Sequence, residues 1–194
     1  MVDIEIRNLN KSYGDHETLS SYTTTFKTGK TNCIMGESGS GKTTLLNILM
    51  GLLKKDSGSI SGLNNKKIAA VFQEDRLCEN LSALANVKLV CGNMYGQQEY
   101  IKAFHEVGLY DCEDKSVREL SGGMKRRIAI LRAVMSKPHI LFMDEPFKGL
   151  DDKTYKEVTK YVINNTKGIT IIMVSHDIRD LESMNAVKYI INKI

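Results

Sequence analysis

Eight consecutive residues carry the clearest chemistry in the sequence: Gly36-Glu37-Ser38-Gly39-Ser40-Gly41-Lys42-Thr43. They match the phosphate-loop pattern, in which one glycine and four free positions precede Gly-Lys-Thr. The glycines let successive backbone N–H groups turn toward one anion, and a helix beginning near Gly41 adds its positive end. Lys42 can then reach the β- and γ-phosphates, and the Thr43 hydroxyl can ligate Mg²⁺. The segment predicts a binding site for a nucleoside triphosphate.

The residues on either side predict the two elements that such a loop requires. The apolar run 31–35 is typical of a short buried strand, and residues 44–50, beginning with Thr44, have the pattern of a helix. The alternative is a chance Gly/Ser-rich turn before a helix. Because both flanking elements are present, the pattern favours the phosphate loop.

A second group of polar residues follows another predicted buried strand, residues 139–144. A parallel strand buried on both faces should be apolar throughout, so acidic residues at its carboxyl end are informative. Ligands bind at that edge of open α/β sheets. Asp144 can hold Mg²⁺, and the adjacent Glu145 can polarise an attacking water. A solvated acidic turn is the alternative, which the upstream phosphate loop disfavours.

A third motif is Leu120-Ser121-Gly122-Gly123-Met124, which predicts a helix with Ser121 as its N-cap. Two glycines leave the N–H groups of that helix start uncrowded. The motif therefore predicts a second anion-binding helix start in the same chain. Ordinary helix capping is the alternative, and taken alone the motif would favour it.

Composition limits the class of protein. A chain of 194 residues with 42% hydrophobic residues is long enough for one domain, 1–194. A net charge of +4 does not demand nucleic acid, and the basic cluster 125–127 is predicted to occupy one helix face. Four scattered cysteines without a C-x-x-C pair indicate a reducing cytosol. No signal segment and no apolar run near ~18 residues are present, so a soluble chain is expected.

The order of predicted elements indicates an α/β fold. Residues 2–9 and 18–26 predict two strands, and these suggest a small N-terminal antiparallel β layer. After residue 30, strands alternate with helices, which indicates a mostly parallel sheet with helices on both faces. From about 74 to 119 the spacing of apolar residues predicts a short inserted helical subdomain, with helices at about 82–90 and 97–107. The residues 67–72 predict a further buried strand that ends at Gln73.

Taken together, the three motifs in this order, followed by Ser175-His176-Asp177, resemble the nucleotide-binding domain of ABC transporters. The resemblance extends from Ile4 to about Ile191. It implies a P-loop NTPase core that binds ATP with Mg²⁺ and hydrolyses it.

The resemblance also implies roles for individual residues. Tyr13 would stack on adenine, Gln73 would contact Mg²⁺ and the attacking water, and His176 would contact the γ-phosphate. Glu145 would be the catalytic base, acting with Lys42. The implied metal ligands are Thr43, Gln73 and Asp144. The implied ATP contacts are Tyr13, Gly36, Glu37, Ser38, Gly39, Ser40, Gly41, Lys42, Thr43, Thr44, Ser121, Gly122 and Gly123.

The partners follow from the same resemblance. It implies a head-to-tail dimer of two copies with ATP between one phosphate loop and the other copy's Leu-Ser-Gly-Gly segment. It also implies transmembrane permease subunits, which would hold the chain at the cytoplasmic, inner face of the cell membrane, and no nucleic-acid partner. Met124 departs from the glutamine usual in the family, which is expected to tune activity rather than abolish it.

The segment 71–77, with 79–81 and 86–87, resembles the ATPase subunits of nitrate, sulfonate and taurine importers. An exporter of the lipoprotein-release or peptide type is the nearest competing prediction. A soluble ABC-type ATPase that is not linked to transport is a second alternative. A degenerate, non-hydrolysing module is a third, which the presence of Lys42, Asp144, Glu145 and His176 disfavours.

Overall fold

The computed structural model describes residues 2–193, and strands alternate with helices from residue 140 onward. The strands are β1 (Ile4–Tyr13), β2 (His16–Phe26), β3 (Thr31–Met35), β4 (Ser57–Ser61), β5 (Ile68–Val71), β6 (Ile140–Asp144), β7 (Thr170–Val174) and β8 (Val187–Ile190). The helices are α1 (Lys42–Leu49), α2 (Ala83–Cys91), α3 (Gln97–Glu106), α4 (Gly122–Met135), α5 (Asp152–Asn165) and α6 (Ile178–Ser183), with a 3₁₀ turn at Val117–Glu119.

The described residues form two compact units. The first comprises residues up to 68 with 139–145 and the residues from 168 onward; the second comprises 69–138 and 146–167. The prediction of one domain with an inserted helical segment at about 74–119 stays a prediction. Within residues 2–193, no helix has the length and apolar character needed to cross a membrane.

The predicted antiparallel layer is confirmed in the first unit. Its strand order is β2-β1-β4, and β1 pairs with β2 from Ile4 opposite Phe26 to Tyr13 opposite His16. β1 is longer than predicted, because residues 10–13 continue the ladder up to the turn at Gly14. Its inward-facing residues Ile4 and Ile6 are buried. The alternation of apolar and polar residues therefore specified the strand, whereas the pairing decided its length.

The first unit also contains four parallel strands in the order β6-β7-β3-β8. β6 and β7 are buried at every position, as continuous apolar strands predict. A polar residue inside β3, Asn32, is completely buried as well. Its amide group donates to the carbonyls of Lys27, Lys30 and Ile171, and its carbonyl accepts from the Lys27 N–H. Asn32 thus fixes the turn that leads into the strand before the phosphate loop.

The second unit contains helices α2 to α5 and the 3₁₀ turn. The predicted helices at 82–90 and 97–107 are confirmed within one residue at each end. The prediction of a buried strand at 67–72 is wrong in its burial: β5 has four residues, of which Val71 alone is buried and Ile68 is exposed. A short apolar run specifies a strand but not whether both of its faces are covered.

The prediction that residues 125–127 share one helix face is also wrong. Arg126 is buried and donates to the carbonyls of Phe72 and Pro146. Arg127 instead donates to the carbonyls of Val107 and Gly108. Consecutive residues of an α-helix point about 100° apart, so neighbouring arginines of α4 reach different segments.

Candidate active site

The phosphate loop connects β3 to α1, as predicted. Lys42 is the first residue of α1, and only 5% of it is exposed. Its Nζ donates to the carbonyls of Gly36, at 2.9 Å, and Glu37, at 2.6 Å. Burial lowers the pKa of Lys42, and the charges of Glu145 and Asp144 oppose that shift. The loop therefore holds a desolvated ammonium group against its own backbone, where it can exchange carbonyl oxygens for phosphate oxygens.

Gly36 is the glycine of the loop that the fold constrains most strongly. Its φ is +155°, and a Cβ atom there would lie 2.2 Å from the carbonyl oxygen of Ile191. We expect Gly36→Ala to lower the free energy of unfolding by about 3 kcal/mol, because a backbone shift adds to an unfavourable φ. Gly39→Ala is the matched control: its φ is +81° with nothing within 4 Å of the new Cβ.

Gly39→Ala should therefore cost only about 1–2 kcal/mol, the strain of a left-handed residue. Urea unfolding of both variants measures the difference. Equal losses would contradict the close contact with the Ile191 carbonyl.

The hydroxyl of Ser40 is a buried polar group within the phosphate loop. Ser40 is 1% exposed, and its Oγ has no hydrogen-bond partner among residues 2–193. A buried unsatisfied hydroxyl costs free energy, so such a group in a native structure requires an explanation. An anionic phosphate enclosed by the loop would satisfy it, and the residues present therefore fit a nucleotide.

Thr43 and Asp144 meet at the carboxyl end of the parallel strands. The Thr43 hydroxyl donates to Oδ2 of Asp144 at 2.9 Å, and Asp144 is buried. One hydroxyl and one carboxylate are a hard oxygen donor set that fits Mg²⁺, which keeps waters and substrate phosphates as its other ligands. Residues 2–193 contain no group of three or more His, Cys, Asp or Glu side chains that could hold a metal on their own. The pair therefore suits a cation that arrives with a phosphate.

Glu145 and His176 form the second pair at this edge. Nε2 of His176 lies 3.0 Å from Oε1 of Glu145, whose side chain is 14% exposed. Glu145 has a φ of +46°, which is uncommon for a residue other than glycine, and its N–H donates to the Val174 carbonyl. Strained backbone of this kind concentrates at functional sites. The residue with this unusual backbone conformation is thus the one whose carboxylate meets His176.

Sequence reasoning missed the hydrogen bonds of the residues next to His176. The Ser175 hydroxyl donates to Oδ2 of Asp180 at 2.5 Å and accepts from the N–H of Asp177. Ser175 and Asp180 are both buried. The only available signal was a serine directly before the histidine and a carboxylate five positions later, which is too short a pattern to be specific.

Tyr13 ends β1 and is 52% exposed, with Nζ of Lys11 5.5 Å from the centre of its ring. The ring is exposed at the end of the strand, and its stacking on adenine stays a prediction.

Four further predicted residues lie in the second unit: Gln73, Ser121, Gly122 and Gly123. Gln73 is exposed and follows β5. Ser121 is the N-cap of α4, as predicted, and its hydroxyl accepts from the N–H of Met124 at 3.3 Å. A Cβ atom at Gly122 or Gly123 would meet nothing within 4 Å, and neither residue has a positive φ. The fold of this chain therefore does not itself require glycine at these two positions.

A parallel sheet whose carboxyl edge carries a phosphate loop, a Thr–Asp pair and a Glu–His pair defines the class of P-loop NTPases. The family model described as ABC transporter matches residues 19–148. The chain belongs to the ABC transporter family, as an ATP-binding and ATP-hydrolysing protein linked to transport.

Individual relatives agree with this assignment. The chain is 34% identical to the lantibiotic transport ATP-binding protein SrtF of Streptococcus pyogenes, over 93% of this chain and 83% of that protein. It is also 34% identical to the aliphatic sulfonates import ATP-binding protein SsuB of Corynebacterium glutamicum, over 90% of this chain and 74% of that protein. The predicted resemblance to sulfonate-type importers is thus confirmed, and a protein named for lantibiotic transport is equally similar.

The fold is also similar to a solved structure, the dimeric post-hydrolysis state of the ATP-binding cassette MJ0796 bound to ADP and Pi. The TM-score is 0.83 at 29% identity, over 95% of this chain and 93% of that one. The predicted α/β P-loop NTPase fold is therefore confirmed.

Proposed function

We propose that this chain drives a separate transmembrane permease by closing, head to tail, with a second copy of itself around ATP. ATP would lie between the phosphate loop of one copy and the α4 start of the other. Binding would close the pair, and loss of the γ-phosphate would open it. The permease would hold the chain at the cytoplasmic face of the membrane. SrtF and SsuB are named for transport, which supports a permease partner.

The observation that carries this proposal is the pair of glycines at the start of α4. Gly122 and Gly123 have room for a side chain and ordinary backbone angles, so no contact within the described chain explains them. Glycine there leaves the N–H groups of the helix start open to an anion brought by another molecule. The first unit already has a phosphate-binding helix start at α1. Each copy would therefore carry two half-sites, the starts of α1 and α4, and an ATP shared between two copies needs one of each.

Within each site we assign the roles that the chemistry of the side chains supports. Lys42 and the loop N–H groups hold the phosphates, and the carboxylate of Glu145 accepts a proton from the attacking water. His176 orients Glu145 and faces the γ-phosphate.

Tyr13 stacks on the base. Thr43 and Asp144, with Gln73, would hold Mg²⁺, which neutralises charge on the β- and γ-phosphates when bound.

The proposal predicts dimerisation that depends on both ATP and α4. The Glu145→Gln protein is expected to run as a monomer alone and as a dimer with ATP and Mg²⁺ in size-exclusion chromatography with light scattering. Adding Gly123→Val should keep it monomeric while ATP still binds, because the valine fits its own chain but blocks an approaching phosphate. Gly96→Val is the control for a glycine-to-valine change at another helix start, since Gly96 is the N-cap residue of α3 and its Cβ would lie 3.6 Å from Glu99 Oε2.

The control double variant should dimerise as Glu145→Gln does. A Glu145→Gln protein that binds ATP to saturation and stays monomeric would contradict the shared site. Dimerisation that survives Gly123→Val would contradict the role of α4.

A further inference from the structure

Arg126 of α4 is a buried cation that the proposed chemistry does not use. Its side chain is 8% exposed, and Nη1 lies 3.2 Å from Oδ1 of Asp75. Burying a guanidinium group costs free energy unless its donors are satisfied, and removing its acceptors leaves a buried charge. An apolar residue at this position of α4 would avoid that cost. The buried arginine therefore indicates that specific acceptors surround its guanidinium group.

Those acceptors are carbonyls of two separate segments of the second unit. Nε donates to the Pro146 carbonyl at 2.8 Å, and Nη1 donates to the Phe72 carbonyl. Phe72 directly precedes Gln73, and Pro146 directly follows Glu145 in the chain. One planar guanidinium group thus binds the carbonyls of Phe72 and Pro146 at once. These residues are the chain neighbours of Gln73, the proposed water-contacting residue, and of Glu145, the proposed base.

The segment held in this way has no regular structure of its own. β5 ends at Val71, and residues 72–77 lie outside the strands and helices. A second arginine of α4 adds to the first: Arg132 donates to the carbonyls of Asp75, at 3.1 Å, and Arg76, at 2.9 Å. Side chains of α4 thereby satisfy carbonyls of a segment that lies outside the strands and helices, which fixes this segment to α4.

We propose that Arg126 is a positioning residue for ATP hydrolysis. It holds the Gln73 segment and the peptide after Glu145 in one geometry relative to α4, whose first residues are the proposed second half-site. A phosphate that docks at the α4 start is thereby coupled to the residues that position the attacking water. This inference rests on the proposed function. The positioning role requires arginine, because the rigid fork of guanidinium donors reaches two carbonyls at once. A lysine ammonium group does not reproduce this double contact.

The test compares Arg126→Gln with Arg7→Gln. Arg7 is the matched control, since its side chain is 70% exposed and pairs only with Glu5 among the contacts described. We expect Arg126→Gln to lower kcat at least about tenfold with little change in KM, because misplacing catalytic groups costs rate rather than ground-state binding. Arg126→Lys keeps the charge and should recover only part of kcat. Arg7→Gln should match wild type.

Hydrogen–deuterium exchange gives a readout that does not depend on turnover. Amides of residues 73–76 and 147–148 are expected to exchange faster in Arg126→Gln than in wild type or Arg7→Gln. Unchanged kcat would overturn the role in hydrolysis, and unchanged exchange in both segments would overturn the clamp itself. Wild-type protein without any ATP turnover would contradict the proposed function, while the exchange comparison still decides whether Arg126 holds both segments.

Should Arg126→Gln fail to fold, Asp75→Asn decides the question. It removes the charge that faces Arg126 and leaves the arginine in place, so faster exchange in residues 73–76 is expected. Exchange at the wild-type rate in that folded variant would overturn the inference.

Discussion

Replacing Glu145 with glutamine is expected to reduce ATP turnover by about 10²–10⁴-fold, the range that a positioned general base contributes. Glutamine keeps the shape of the side chain but cannot accept a proton from water. ATP affinity should stay within about threefold of wild type, because the interaction that is lost belongs to the transition state. Phosphate release measures turnover, and calorimetric titration with ATP measures binding.

Glu182→Gln is the matched control for this prediction. Glu182 is an exposed residue of α6 in the same unit, so its loss of charge alone should leave turnover unchanged. Equal turnover of Glu145→Gln and wild type would show that another group accepts the proton. The positive φ of Glu145 and its contact with His176 would then have to be explained by structure rather than catalysis.

Replacing Lys42 with methionine is expected to weaken ATP binding by about 10²-fold or more, the cost of removing one partner of a buried charged pair. The stem of the side chain still packs, but the phosphates lose their ammonium donor. Lys55→Met is the matched control, since Nζ of Lys55 donates to the Gly58 carbonyl at 2.7 Å outside the phosphate loop. Titration with a fluorescent ATP analogue measures both affinities, and equal affinities would contradict the role of Lys42.

The same variant should lose little stability without ATP. Burial lowers the pKa of Lys42, so below that pKa the charged group opposes folding, and the cost disappears as pH rises from that pKa to the ordinary pKa of a lysine. Methionine removes this cost together with the two hydrogen bonds to loop carbonyls. We therefore expect the free energy of unfolding at neutral pH to change by less than about 1 kcal/mol, measured by urea unfolding. A much larger loss would mean that the loop depends on the ammonium group for its folded shape.

Local patterns in the sequence determined most of the fold. The spacing of glycines and Lys42 specified the phosphate loop, and apolar runs specified the strands on either side of the site. Ser121 with its two glycines specified the start of α4. These signals are short-range, because each follows from backbone geometry and side-chain chemistry within a few residues.

Burial and side-chain direction were less predictable. Asn32 lies inside an apolar strand, and nothing in the sequence showed that three carbonyls would accept its amide hydrogens. The exposure of Ile68 and the separate directions of Arg126 and Arg127 were predicted wrongly. Each depends on which element covers a face, and that information is absent from the local pattern.

The sequence by itself thus determined that this protein is a phosphate-loop ATPase of the ABC type, and it predicted the residues that we propose carry its chemistry. Only the tertiary structure decided how those residues meet. Thr43 and Asp144 are 101 positions apart and meet through the parallel sheet, and Glu145 reaches His176 through a strained turn. The role proposed for Arg126 follows only from its acceptors in two segments that are distant in the sequence. The physical reason is that motifs encode local geometry, whereas contacts between distant segments are set by packing of the whole chain.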